Sequence, residues 1–281
     1  MTTTNEKLQT EFINGLDNVT DTTRKEYNAK LTQMTGKVQF DADEDSLLQF
    51  LSTIDNPNTR TNKAFALLRL RKFHGMPVAE LERLRDDLKD EIRTHRKEHA
   101  KKNNESLVSY NDLLTTLDGL TGRDYFMNYM YVHHGLRNRD INVRYRPSLS
   151  KATKNENLIS FNPQSKTNKV TLYICDYKTA GTYGPKTIVC KNPRLFTELR
   201  DMNMKNGDYV FKMANGGKPT INYMNVLSSK NSINNYGEGR IAKILVKHLL
   251  ENKRYAELEE LSKQRGTSLS TLYTVYNVQS N

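Results

Sequence analysis

The sequence predicts a mainly α-helical protein with a small antiparallel β-sheet, in which a helical first domain precedes an α+β second domain. In residues 1–100 apolar side chains recur at helical spacing in four segments. Between residues 158 and 190 apolar and polar residues alternate instead, which is typical of strands. After residue 190 the helical spacing returns and continues towards the end of the chain.

The four helices of the first domain are expected to form a small bundle. A threonine caps the first of them, because its side chain can accept a hydrogen bond from an unpaired backbone N–H. A glycine and a proline end the third. The expected helices run from Thr22 or Thr23 onward, from Asp43 to Ile54, from about Thr61 to Phe73, and from Val78 to about His99.

The third helix is both amphipathic and basic. Phe65, Leu68 and Phe73 are its expected core positions. Its cationic side chains either form a solvated face or contact DNA. The residues assigned to DNA contact are Lys63, Arg69, Arg71 and Lys72.

A polar, charged segment follows the fourth helix and marks the domain boundary. We expect domains at residues 1–100 and 107–281, joined by a linker at 101–106. The second domain begins with two helices, of which the latter is apolar nearly all round and therefore buried. Its expected helices lie at about 109–120, 124–134, 193–204, 220–227, 240–252, 255–264 and 269–278, and its strands at 158–161, 170–177 and 187–190, with a turn at 180–185.

Composition narrows the function. The formal charge is +11 and the pI is near 9.4, and such a surplus most often meets a polyanion, with nucleic acid as the first candidate. No segment is apolar enough to span a bilayer or to act as a secretory signal, so we expect an intracellular protein without membrane contact. The two cysteines exclude a disulfide framework and a four-cysteine zinc site. Phosphate-loop, zinc-protease and serine-hydrolase motifs are missing.

Three segments carry residues suited to phosphate chemistry. Arg137 leaves a buried helix at a glycine, which would hold its guanidinium rigidly, as a phosphate clamp requires; an ion pair with Asp140 is the structural alternative. Lys178 lies where a strand enters a turn, and from there an ammonium can reach a DNA groove or protonate a leaving oxygen. Tyr273 and Tyr276 lie on the last helix, where packing in the core is the alternative.

Taken together, these segments resemble the tyrosine recombinase (phage integrase) family. Gly-Leu-Arg-x-x-Asp-Ile at residues 135–141 resembles the family's first box, and Tyr-Lys-Thr at 177–179 resembles its hairpin lysine. Leu-Leu at 249–250, then Gly-Thr-Ser at 266–268 and a tyrosine ten residues after that glycine, resemble the second box and the nucleophile. The resemblance implies that Arg137 is the first catalytic arginine, Asp140 its supporting acid, Lys178 the general acid and Tyr276 the nucleophile. The helical first domain resembles the family's core-binding domain.

One position departs from the family's pattern. Counting back from Leu249 places Ala242 where the second arginine belongs. Either Arg240 supplies the guanidinium from a loop before the helix, or Ala242 is a natural loss or an engineered change from arginine. Lys243 on the same helix is a further candidate catalytic residue. Thr267 takes the place of the commoner histidine or tryptophan of the third box.

The resemblance implies a site-specific recombinase or integrase, of a virus or mobile element, that acts on double-stranded DNA without a metal or other cofactor. Tyr276 would attack the scissile phosphodiester, giving a 3′-phosphotyrosyl bond and a free 5′-hydroxyl. The two domains would clamp the duplex, with Arg139, Arg144 and Arg146 facing it from the second domain. Four protomers would assemble on DNA, and the protein would be monomeric in its absence or would exchange the tyrosine helix between protomers.

Other interpretations stay open. The chain could be a DNA-binding relative that has lost catalysis at Ala242, or a type IB topoisomerase-like relaxer that uses the same nucleophile. It could also be a DNA architectural protein, or a scaffold whose basic faces are merely solvated. The all-helical first domain and the short hairpin favour a recombinase over a topoisomerase. The architectural alternative leaves the order of Arg137, Lys178 and Tyr276 unexplained.

Overall fold

The computed structural model describes residues 4–17, 19–104, 107–149 and 156–273. The chain divides into two compact units, Met1–Lys102 and Asn103–Asn281. Helices dominate both units, and the described strands form one small sheet in the second. The predicted fold class, mainly α with a small sheet, is therefore confirmed. No helix of the described residues has the length and apolar character that crossing a bilayer requires.

The first unit is helical throughout its described elements, which are α1 (Thr4–Asn14), α2 (Asp21–Thr32), α3 (Glu44–Ser52), α4 (Pro57–Phe73) and α5 (Ala79–Asn104). The sequence does not predict α1. Thr20, rather than Thr22 or Thr23, caps α2 by accepting the N–H of Thr23 at 3.2 Å. The helix expected to end near His99 continues to Asn104, because residues 100–104 contain no glycine or proline to stop it.

The core of the first unit is built around α4. Ala66, Leu67 and Leu70 of this helix are fully buried, together with side chains of α1, α2, α3 and α5. Leu68 is buried as predicted, whereas Phe73 is 46% exposed and packs edge-on against Phe12. Phe73 is the last residue of α4.

The second unit alternates helices with short strands. Its described elements are α6 (Tyr110–Asp118), α7 (Gly122–His134), β1 (Arg144–Arg146), β2 (Leu158–Ser160), β3 (Val170–Ile174), α8 (Ala180–Tyr183), β4 (Lys186–Cys190), α9 (Pro193–Asp201), α10 (Ile221–Asn231), a 3₁₀ turn (Ile233–Asn235), α11 (Gly237–Glu251), α12 (Tyr255–Arg265) and α13 (Leu269–Thr271). The predicted turn at 180–185 contains one helical turn, α8. As predicted, α7 is buried on nearly all sides.

The sheet has the order β1-β2-β3-β4. The pairs β2–β3 and β3–β4 are antiparallel, and Leu172 of β3 lies between Ile159 and Ile188 in the register. β1 pairs in parallel with β2, so the sheet is mixed rather than purely antiparallel. The sequence does not predict β1, because its residues Arg-Tyr-Arg show little apolar alternation. One apolar core joins the sheet to α6, α7, α9 and α11, and a smaller one joins α11 to α12.

Candidate active site

Arg137 lies in a tight loop at the C-terminal end of α7. Gly135 ends the helix in the left-handed conformation, with φ at 57°, and a Cβ at this position would lie 2.6 Å from Cδ1 of Leu261. The loop closes on itself, because the Asp140 N–H donates to the Arg137 carbonyl (2.9 Å) and Asp140 Oδ2 accepts the Arg137 N–H (3.3 Å). A glycine is therefore required before the arginine, both for the backbone conformation and for the close approach of α12.

The Arg137 side chain is half-buried and reaches the end of α12. Its Nη1 donates to the carbonyl of Arg265. Arg265 is itself 1% exposed, and its Nη1 donates back to the carbonyl of Gly135. This reciprocal pair of bonds fastens the loop to the helix end. A guanidinium has five N–H donors, so one such bond orients Arg137 and leaves it further donors.

The ion pair between Arg137 and Asp140 that the sequence left as an alternative is absent among the described residues. The fully buried Asp140 pairs instead with Lys186 of β4, at 3.2 Å between Nζ and Oδ2. Lys186 also donates to the carbonyl of Gln264 and lies over the ring of Tyr177, 4.1 Å from its centroid.

Lys186 was missed by sequence reasoning, although β4 carries a signal for it. The buried side chains of this strand recur at every second residue, at Ile188 and Cys190, and Lys186 falls on the same face. A lysine in phase with a buried apolar face needs an internal partner. That pattern distinguishes it from Lys178, which is solvent-exposed.

The hairpin segment at 177–179 meets the segment at 266–268. The hydroxyl of Thr179, next to Lys178, donates to the carbonyl of Gly266 at 2.6 Å. Gly266 ends α12 with φ at 59°, and a Cβ there would lie 2.5 Å from Cε2 of Tyr177 and 2.7 Å from Oγ1 of Thr179. Only glycine permits this approach without a shift of the hairpin.

The structure places Arg240, one alternative source of the second guanidinium, within a helix. α11 begins at Gly237, so Arg240 lies in its first turn and not in a loop before it, and its guanidinium lies over the ring of Tyr236 at 4.2 Å. Ala242 is fully buried, so the side chain of an arginine at this position would have to extend out of the core. Lys243 is half-buried on the same helix. The catalytic roles of Arg240 and Lys243 stay predictions.

Two carboxylates balance the cations around Arg137. Glu238, at the start of α11, accepts the backbone N–H of Asn138. Burial raises the pKa of Glu238, while Arg265 and Arg137 lower it. Burial lowers the pKa of Lys186, and the charges of Arg137 and Arg265 lower it further, whereas Asp140 raises it. Glu238 was not singled out from the sequence. The cluster around Arg137 thus combines three cations with two acids.

Tyr276 lies outside the described residues, so its position stays a prediction. The chain leading to it is described as far as Tyr273, which is 43% exposed. Thr267 is buried, and its N–H donates to the carbonyl of Ser262 at 3.0 Å. Leu272 packs into the core between α11 and α12. The start of the last helix is therefore anchored next to the Arg137 cluster.

The basic residues assigned to DNA in the second unit all have protein partners. Arg139 pairs with Asp176 (2.5 Å) and is half-exposed. Arg144 donates from Nε to the carbonyl of Gly207 (2.6 Å), and Arg146 donates to the Asn206 side chain (3.0 Å). Because these partners leave part of each guanidinium at the surface, their contact with DNA stays a prediction.

In the first unit the structure places Arg71, which was assigned to DNA, in the interior, and its contact with DNA stays a prediction. Arg71 is 2% exposed, and its guanidinium donates to the carbonyls of Phe40, Ala42 and Pro77. Three further basic residues of α4 stay candidates for DNA contact: the exposed Arg69, the half-buried Lys63, and Lys72, which pairs with Glu82 at 2.5 Å.

The stability of the chain is expected to fall as the pH drops below about 6.5, through His134. His134 Nδ1 lies 2.9 Å from Gln264 Oε1, and Nε2 lies 3.4 Å from Cys190 Sγ. Burial lowers the pKa of His134, whereas the hydrogen bond to Gln264 raises it by a smaller amount. The unfolded chain therefore takes up the proton first as the pH falls, and the stability present above the unfolded pKa is lost. His134→Gln should flatten this decline in thermal unfolding at about pH 7.5 and about pH 5. Equal slopes for the two proteins would contradict it.

No protein-family model matches the chain, and no curated protein matches it. Among solved structures, that of XerA recombinase is similar with 10% sequence identity, over 98% of this chain and 94% of the other, at a TM-score of 0.39. A likeness of this size concerns the overall fold and carries no argument about activity.

Proposed function

We propose that this chain is a DNA strand transferase of the tyrosine recombinase type, which breaks and rejoins double-stranded DNA through Tyr276. The observation that supports it is the convergence of three distant segments. Arg137 and Thr179 donate to the successive carbonyls of Arg265 and Gly266. These are the segments in which the resemblance places the first box, the hairpin lysine and the third box.

In the proposed reaction the Tyr276 hydroxyl loses its proton to solvent, its oxygen attacks the scissile phosphorus, and the bond from phosphorus to the 5′ oxygen breaks. The products are a 3′-phosphotyrosyl bond and a 5′-hydroxyl, whose proton comes from Lys178. Arg137 holds a non-bridging phosphate oxygen as charge builds up on it. Attack by a 5′-hydroxyl on the phosphotyrosine reverses the steps. The proposal includes no cofactor, because the phosphotyrosyl bond conserves the energy of the broken phosphodiester.

The exposed position of Lys178 supports its proposed role. A proton donor to DNA must reach beyond the protein surface, and Lys178 does so from a hairpin that Thr179 fixes to Gly266. The cationic groups of both units would contact phosphates, so affinity for DNA should fall steeply with salt. Assembly of four copies on two duplexes is part of the proposal.

A second candidate is a DNA-binding relative that cannot cleave. The burial of Ala242 favours it, because the position where the resemblance expects a second guanidinium holds a methyl group in the core. Arg240, the nearest arginine on α11, stacks on Tyr236. This candidate keeps the basic surface and its salt dependence but lacks the phosphotyrosyl step.

The decisive experiment traps the covalent intermediate. Nicked duplexes of randomised sequence release a short strand on cleavage, so that rejoining fails and a denaturation-resistant adduct accumulates. The adducted peptide should contain Tyr276, and Tyr276→Phe should abolish the adduct while the matched Tyr273→Phe retains it. An adduct that survives Tyr276→Phe would refute the proposed nucleophile. Salt-sensitive binding without any adduct would support the second candidate.

A further inference from the structure

The last turn of α12 is held by side chains from elsewhere in the unit. A helix leaves its last four carbonyls without an intrahelical donor. In α12 the first two of these accept the backbone N–H groups of the residues that follow the helix, at 3.0 and 3.1 Å. The last two, of Gln264 and Arg265, accept from Lys186 and Arg137. Cations at this end also meet the negative end of the helix dipole.

Three groups of the protein surround the ammonium of Lys186. It carries three N–H groups. One donates to Asp140 Oδ2 (3.2 Å) and one to the Gln264 carbonyl, and the ammonium lies 4.1 Å from the centroid of the Tyr177 ring. The side chain is 13% exposed. A group held in this way is suited to fix its neighbours and not to deliver a proton to a substrate.

Lys186 and Arg137 are tied to the same two structural elements. Asp140 Oδ2 accepts both the Lys186 ammonium and the backbone N–H of Arg137. The same two residues bind adjacent carbonyls at the end of α12. Lys186 therefore sets the distance between the loop that carries Arg137 and the helix end to which its guanidinium is bound.

We propose that Lys186 is a positioning residue of the active site, which locks the Arg137 loop against the end of α12 so that the guanidinium is preorganised for a phosphate. The catalytic consequence rests on the proposed function, whereas the structural consequence does not. A cation is needed at this position, because Asp140 is fully buried and its Oδ1 has no hydrogen-bond partner among the described residues.

The test compares four variants. Lys186→Met removes the ammonium at similar volume, and Lys186→Arg keeps a cation with donors. Asp140→Asn combined with Lys186→Met removes the buried charge that the single change would leave unpaired. Lys191→Met is the matched control, because it removes an exposed lysine just after the same strand. Each protein is assayed for hydrogen exchange, for DNA affinity, and for the rate of adduct formation at saturating nicked DNA.

We expect Lys186→Met and the double variant to speed the exchange of the Gly266 and Thr267 amides, which are bonded to the last turn of α12. Both should slow adduct formation by about a hundredfold, a typical result of a small misplacement. Their DNA affinity should stay within about twofold of that of Lys191→Met, since Lys186 makes no phosphate contact in the proposal. Compared with Lys186→Met, the Lys186→Arg protein should show slow exchange of these two amides again and should recover most of the rate of adduct formation.

The outcomes separate the two proposals. Exchange and adduct rates of Lys186→Met that equal those of Lys191→Met would overturn the positioning role. A double variant that reacts at the wild-type rate would also overturn it, since only the charge balance would then matter. If the wild-type protein forms no adduct while the exchange rates of the variants are as expected, the structural role of Lys186 is supported and the proposed function is refuted.

Discussion

Arg137→Ala is expected to slow adduct formation by about a hundredfold to a thousandfold at saturating DNA, because it removes a preorganised donor to the charge that develops on the phosphate. The guanidinium is anchored by its bond to the Arg265 carbonyl and is only half-buried, so it can meet the DNA without rearrangement. Single-turnover formation of the adduct measures the effect directly.

Arg137→Lys should restore little of this rate. An ammonium is a point charge and cannot bind the carbonyl and a phosphate with the fixed fork of a guanidinium. Arg200→Ala is the matched control, because Arg200 is exposed on α9 and pairs with its neighbour Asp201 at 3.0 Å. Thermal unfolding checks that each variant is folded. Equal adduct rates for Arg137→Ala and Arg200→Ala would remove Arg137 from the proposed site.

Arg71→Met is expected to lower the free energy of unfolding of the first unit by about 3 kcal/mol or more. The guanidinium donates to three carbonyls, at 2.9 Å to Phe40, 2.7 Å to Ala42 and 2.9 Å to Pro77. A methionine of similar length would leave these acceptors buried without donors. Urea unfolding monitored by circular dichroism, together with amide exchange in α4, measures the loss.

Arg69→Met is the control for this change, since Arg69 is exposed on the same helix. Exposed substitutions usually change stability by less than about 0.5 kcal/mol. The pair also tests the roles of the two residues towards DNA. Arg69→Met should weaken binding in a salt-dependent way, whereas folded Arg71→Met should not. The reverse pattern would show that Arg71 leaves its carbonyls to bind phosphate.

The two arginines illustrate how far sequence reasoning reaches. Helical spacing predicted the end of α4 at Phe73 but placed its start at about Thr61 instead of Pro57, because the pattern of apolar residues is local to the helix. It did not distinguish the buried Arg71 from the exposed Arg69, because the carbonyls that accept from Arg71 belong to loops at residues 40–42 and 77. Backbone acceptors of this kind have no sequence signal.

In the candidate site, too, local features could be predicted from the sequence, whereas contacts between distant residues could not. The loop that carries Arg137 could be predicted, because the left-handed Gly135 and Arg137 lie only two residues apart in the chain. Lys186 could not be paired with its partners, which lie 46 and 78 residues away. The alternation in β4 marks Lys186 as inward-facing, yet only the contact of its side chain with the end of α12 reveals what it holds. The burial of Ala242 likewise depends on the packing of α11.

The burial of Leu272 sets a limit on the reach of the proposed nucleophile. Tyr276 lies four residues further along the chain. A tether of that length spans about 6 Å as a helix and about 13 Å when fully extended. While Leu272 stays in its core, the tyrosine therefore reaches only phosphates close to its own subunit. Cleavage of a strand held by a neighbouring subunit would require Leu272 to leave that core, so the apolar contacts of one leucine would decide which strand is cut.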